Sequence, residues 1–241
     1  MKLLVVVAHP DDESFGCGSI LAHAASLGAD TAVLCATRGE AGESRVPSDD
    51  LAAVREAELR AAAEVLGVQE VRLLDHRDSD MVDDPQPGTL CAADPAVVAA
   101  EIGAVVDELR PDVVVTLDGG DGHRDHTVIR DATLAAVDAA AHPPTATYLW
   151  CVTRTRMARW ADHLRATGES EIYLQLGSLG TPDEEVTLVL DLPQHLDKRW
   201  EAIRAHASQQ SPYEHLAPDF QREALCRQDL KLVRGVDALF A

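Results

Sequence analysis

Two short stretches hold the side chains that bind cations and move protons: His9-Pro10-Asp11-Asp12-Glu13 and His123-Arg124-Asp125-His126. Crowded carboxylates repel one another and resist losing water, so their proximity calls for compensation, which a bound cation supplies. His9 and Asp12 lie three residues apart across a turn, and both can face one ion. His126 completes a two-histidine, one-carboxylate set, which leaves a coordination position open for water, as catalytic sites do. Zinc suits imidazole and carboxylate ligands, and ferrous iron favours the same triad. Asp11 adjoins a ligand and can point at the bound water, whose proton it would accept once coordination lowers the water's pKa to about 7. His123 can stand across the site as a cation or proton donor, and Asp125 can hold an imidazole in the correct tautomer. Taken singly, HPDD reads equally well as a turn with a helix N-cap, and HRDH as a solvated loop. Glu13 reads as a helix-start or supporting residue. His23, His142, His163, His195 and His215 have no comparable setting.

The two clusters matter together only if the fold unites them. Residues 2–8 (KLLVVVA) read as a strand buried on both faces, and 16–28 as a helix ending at Gly28. Strand TAVLCAT (31–37) follows, then a helix capped by Ser48 and closed after Leu66 by Gly67. Strand VRLLD (71–75) precedes a helix begun by Asp94-Pro95 and ended before Pro111. DVVVTL (112–117) is the fourth strand, with a helix over 126–141. This alternation predicts a Rossmann-like, open, mostly parallel α/β sheet flanked by helices. In such a sheet, ligands bind beyond the carboxyl ends of the strands. The loops predicted there begin at His9, Arg38, His76 and Asp118, and all four carry ionisable side chains. Their coincidence favours a metal site over two unrelated turns.

Beyond Pro144, ATYLWCVT (146–153) and VTLVLDL (186–192) read as strands. MARWADHLRATG (157–168), 196–207 and 219–234 read as helices. The expected organisation is one domain over 1–241, a parallel core over 1–142 completed by C-terminal strands and helices over 143–241. Residues 76–93 form the longest irregular insertion, the kind that is either mobile surface or part of a site.

A chain of 241 residues that is 46% hydrophobic can build a core without disulfides or structural metal. The formal charge of −20 argues against nucleic acid or an anionic membrane as partner. Cys17, Cys35, Cys91, Cys151 and Cys226 are odd in number and scattered, so buried free thiols in a reducing compartment are expected. The opening MKLLVVVA runs directly into HPDD with no small-residue cleavage site, and no apolar run reaches membrane-spanning length. A cytoplasmic location is expected; a homo-oligomer remains open.

AHPDDE (8–13) and HRDH (123–126) resemble the two signature motifs of the LmbE-like, or PIG-L, family of zinc-dependent N-acetylglucosamine deacetylases. GEAGE (39–43), REAEL (55–59), RDSDM (77–81) and RPDVVVT (110–116) are similar to the family in order and spacing, and RAHASQ (204–209) matches a weaker pattern. The resemblance implies His9, Asp12 and His126 as zinc ligands, Asp11 as general base and His123 as acid or oxyanion stabiliser. Similarity to the mycothiol-pathway branch implies substrate contacts from Glu43, Arg55 and Asp78, with weaker claims for Arg38 and Arg45. On general grounds Arg55 reads equally well as a solvated helix charge paired with nearby glutamates. The chain departs from that branch at Asp121, where the branch has a tyrosine two positions before the first histidine of the second motif.

The implied reaction removes an acyl group, foremost acetyl, from the amine of an N-acetylglucosamine-type or related small molecule. An amidase acting on a larger sugar or thiol conjugate, or on a secondary metabolite, would need the same parts and a roomier rim. A dinucleotide-binding module is disfavoured, because Asp11 and Asp12 occupy the turn where a pyrophosphate would lie. A non-catalytic scaffold that keeps a metal for stability is the remaining alternative.

Overall fold

The computed structural model describes residues 1–80, 84, 86–167 and 179–240. Its strands are β1 (Lys2–Val7), β2 (Asp30–Cys35), β3 (Glu70–Leu73), β4 (Val113–Leu117), β5 (Ala146–Cys151), β6 (Leu188–Asp191) and β7 (Arg227–Gly235). They form one sheet in the order β3-β2-β1-β4-β5-β7-β6. The first five run parallel, and β7 lies antiparallel between β5 and β6. The sheet is therefore mostly parallel, as the alternation of elements predicts. It also draws strands from both sides of residue 142.

The central strands are apolar because helices cover both faces. Leu3 to Val7 and Val113 to Val115 are sealed from solvent, as are Ile20 and Leu21 of α2 (Gly18–Ser26), Leu59 and Leu66 of α3 (Leu51–Leu66), Ile102 of α4 (Pro95–Leu109) and Ile129 of α5 (Arg124–Ala139). α4 packs on α5, while α3 packs on α7 (Leu196–Ala205). Ahead of α2, the single turn α1 (Asp12–Phe15) carries the acidic motif, and the predicted helix over 16–28 is α2, running from Gly18 to Ser26. α4 starts as expected, with the Asp94 side chain accepting the Ala96 N–H. The cap of α3 is Asp50, not Ser48: Asp50 Oδ1 accepts the Ala53 N–H at 3.0 Å, and Ser48 Oγ accepts the Asp50 N–H. Gly67 closes α3 at φ 84°, a left-handed position that glycine occupies without steric cost.

One element differs in kind. The helix expected over 219–234 is helical only in α8 (Pro218–Cys226) and then extends as β7. Its charges look like the wet face of a helix, but Asp229 is fully buried and bound by Arg156 Nη1 at 2.5 Å. That partner lies 73 positions upstream, on α6 (Arg154–Thr167). Gln228, also fully buried, accepts from Trp150 Nε1 of β5. Long-range pairing outweighs local periodicity here.

The 76–93 insertion contains a turn over Leu90–Ala92 and a bridge between Arg77 and Thr89. Met81 of the RDSDM motif and Gly168 of the MARWADHLRATG segment lie outside the described residues. All five cysteines are free. Among the described residues, no helix is long and apolar enough to cross a membrane.

Candidate active site

β1 and β4 are neighbours whose chains lead to opposite sides of the sheet, β1 toward β2 and β4 toward β5. At such a switch point the outgoing loops part and leave a crevice. Both signature motifs emerge into it.

Asp12 opens α1 and faces back across the turn. Its Oδ2 accepts the backbone N–H of His9 at 2.8 Å and of Ala8 at 3.2 Å. That oxygen lies 3.6 Å from His9 Nδ1, while Oδ1 lies 3.3 Å from His126 Nε2. One carboxylate thus stands between the two imidazoles. On the far side of His9, Nε2 meets Asp125 Oδ2 at 3.2 Å and Asp78 Oδ1 at 3.6 Å. Asp125 is fully buried and also accepts from the Ser79 N–H and the Cys91 thiol. His126, in the first turn of α5, donates from Nδ1 to Asp121 Oδ2 at 2.6 Å. His123 caps α5, stacks on His126 at 4.7 Å between centroids and meets His9 edge-on at 4.6 Å.

Asp11 has φ 157° and ψ −28°, a conformation few residues other than glycine adopt. A buried brace holds it there: Arg55 Nη2 donates to Asp11 Oδ2 at 2.8 Å and to the Pro10 carbonyl at 2.9 Å. Arg55 Nη1 donates to the Gly39 carbonyl at 2.7 Å.

The electrostatics divide these groups. Burial alone would depress His126, but Asp121 and Asp12 overcome it and raise the imidazole to about 10. Burial opposes charge on His9 as well, yet Asp12, Asp125 and Asp78 hold it well above its ordinary value. Asp12 sits well below the usual carboxylate range despite burial, because His126 and His9 face it. Asp11 goes the other way: burial, helped by the neighbouring Asp12 charge, lifts it to about 6 against the pull of Arg55. Burial together with the charges of His9 and His126 pushes His123 down to about 4. At neutral pH this favours an uncharged His123, the proton donor rather than the cation of the two roles read from its position in the sequence. A divalent cation nearby would push it the same way.

The donor set fits a divalent cation. Asp12, Asp78, Asp121 and Asp125 surround two imidazoles whose protons supply the positive charge that an ion would otherwise bring. His126 Nε2 is buried with no hydrogen-bond partner, and His123 Nδ1 is in the same condition. Ring nitrogens of His9, His123 and His126 lie within 4.8 Å of one another, and His9, Asp78 and Asp125 form a second such group.

The structure gathers His9, Asp11, Asp12, His123, Asp125 and His126 at one place, with Asp78 and Arg55 against them. Glu43 lies exposed on the loop between β2 and α3. Arg55 is only 3% exposed, so it is not a solvated helix charge. Arg38 pairs with Glu56 and Asp75, and Arg45 with Glu214. Sequence reasoning overlooked Asp121 as a partner of His126; the Asp-Gly turn just ahead of HRDH was the available signal. It also overlooked that Glu13 lies in a buried contact with His206 of the RAHASQ stretch, at 2.7 Å.

Fold and cluster together define an α/β protein whose switch-point crevice gathers a histidine and aspartate cluster that could hold a metal ion. The chain belongs to the PIG-L family, described as GlcNAc-PI de-N-acetylase, which matches residues 4–137. It is 36% identical over 271 residues to a 1D-myo-inositol 2-acetamido-2-deoxy-alpha-D-glucopyranoside deacetylase of Geodermatophilus obscurus, covering 97% of this chain and 92% of that one. A deacetylase of the same description from Kineococcus radiotolerans is 39% identical over 248 residues, covering 86% and 68% respectively. Among solved structures, the zinc-inhibited form of a teicoplanin deacetylase superposes with TM-score 0.66 at 21% identity, over 99% of this chain and 100% of that one.

Proposed function

We propose that this protein is a zinc-dependent N-deacetylase that hydrolyses the acetamido group of an N-acetylglucosamine-type small molecule, releasing acetate and a free amine. The carrying observation is the convergence of His9, Asp12 and His126 beside a separately braced Asp11. The relatives' descriptions as deacetylases of a glucosaminide support the substrate class.

His9 through Nδ1, Asp12 through Oδ1 and His126 through Nε2 would hold the ion. When bound, zinc supplies a Lewis acid and lowers the pKa of water at its open position to about 7; ferrous iron suits the same donors. Asp11 accepts the proton of the attacking water. Arg55 engages one of its oxygens and leaves the other for that proton. His123, neutral, donates an N–H toward the carbonyl oxygen as charge gathers there, a contact worth about 3–4 kcal/mol when well placed. The proton taken by Asp11 then passes to the departing nitrogen, and the amine leaves. Asp125 holds His9 with Nδ1 turned toward Asp12.

The test is acetate release from N-acetylglucosaminyl-inositol and simpler N-acetylglucosaminides by chelator-treated protein, before and after zinc is added. Zinc should restore release in the wild type and fail to do so in His126→Ala. Equal release with and without chelator would refute metal dependence. Release of a longer acid in place of acetate would favour the larger-conjugate amidase.

A further inference from the structure

The loop from β4 to α5 turns at Gly119 (φ 71°) and Gly122 (φ 90°), and between them it sends Asp121 toward α5. Asp121 is held at both ends. Its Oδ2 receives His126 Nδ1 at 2.6 Å, and its Oδ1 accepts the backbone N–H of His123 at 3.0 Å. The nearest alternative carboxylate in the loop, Asp118, is engaged by the Thr181 hydroxyl at 2.5 Å. Once His126 gives up its extra proton to bind an ion, a neutral imidazole that still donates from Nδ1 carries its lone pair on Nε2. That Nε2 is the buried nitrogen without a hydrogen-bond partner, and it faces Asp12 Oδ1.

We propose that Asp121 is a positioning residue: it fixes the tautomer and ring orientation of His126 so that Nε2 is presented to the divalent cation. The inference rests on the reading that His126 is a ligand. It gives Asp121 the task that Asp125 performs for His9, so each imidazole is backed by its own carboxylate. Such outer carboxylates typically govern metal affinity by 10–100-fold.

Zinc affinity of the purified full chain, measured by competition with a chromophoric chelator, tests this with Asp121→Ala, Asp121→Asn and His126→Ala. Asp121→Ala should bind zinc about 10–100-fold more weakly. Asp121→Asn, whose amide oxygen can accept the same Nδ1–H, should recover most of that loss. In 15N histidine spectra of the zinc-loaded wild type, His126 should carry its proton on Nδ1 and coordinate through Nε2. Melting of the metal-free variants checks that they fold. Wild-type affinity in Asp121→Ala, or no rescue by asparagine, overturns the inference while leaving the site reading intact. Wild-type affinity in His126→Ala overturns the site reading, and the inference with it.

Discussion

Asp11 and Asp12 are adjacent and chemically identical, yet their surroundings pull them apart. Asp12 is stabilised as an anion by two imidazoles, while Asp11 is raised to about 6 by burial. Separation of paired carboxylates in this way is how one site obtains both a fixed anion and a proton acceptor. Asp11→Asn should therefore keep stoichiometric zinc by elemental analysis and lose roughly 10²–10⁴-fold in kcat; wild-type turnover would remove Asp11 from the base role. His123→Ala should lower kcat by about 10²–10³-fold with zinc content unchanged. Because burial and the neighbouring imidazoles push His123 down to about 4, its loss should not remove a basic limb from the pH–rate profile. The motif residues are legible in the sequence because their types are uncommon together at strand ends. The burial of Arg55 and the reach of Asp121 are not, since each depends on where a loop returns in space.

Elements place these groups through close backbone contact. Gly39, at φ 65°, passes so near Arg55 that a Cβ there would lie 2.4 Å from the guanidinium carbon. Gly39→Ala is expected to dislodge Arg55 and release Asp11, lowering kcat about as much as Arg55→Ala while zinc binding survives. Steady-state kinetics beside zinc titration would decide this, and unchanged kcat would show that the brace is dispensable. The parallel strands announced themselves as unbroken apolar runs, and α4 through Asp94-Pro95. β7 did not, because Asp229 looks like a surface charge until Arg156 is placed against it.

For the molecule as a whole, we take 1–241 as one folding unit, since a single sheet joins strands from both parts of the chain. Calorimetry should show one cooperative transition; two separable transitions would divide the chain. The buried contact between Glu13 and His206 ties the acidic motif to the segment after α7. Burial opposes charge on His206, but Glu13, with Asp11 and Glu58, raises its pKa in the folded state. The raised value means that its stabilisation is complete below the unfolded pKa of about 6.5 and fades as pH climbs through the folded value. In the metal-free protein, the urea midpoint gap between wild type and His206→Asn should narrow from pH 6 to pH 9. A gap that does not change would remove that linkage.

The place of β7 has a consequence for biosynthesis. Translation delivers residues 188–191 well before 227–235, yet among the described residues the earlier strand reaches the sheet only through the later one. Until residue 235 has left the ribosome, β5 and β6 both lack the strand that pairs with them. An emerging polypeptide at that stage offers an open template to other chains, so the interval before β7 inserts is when this protein most needs chaperone cover.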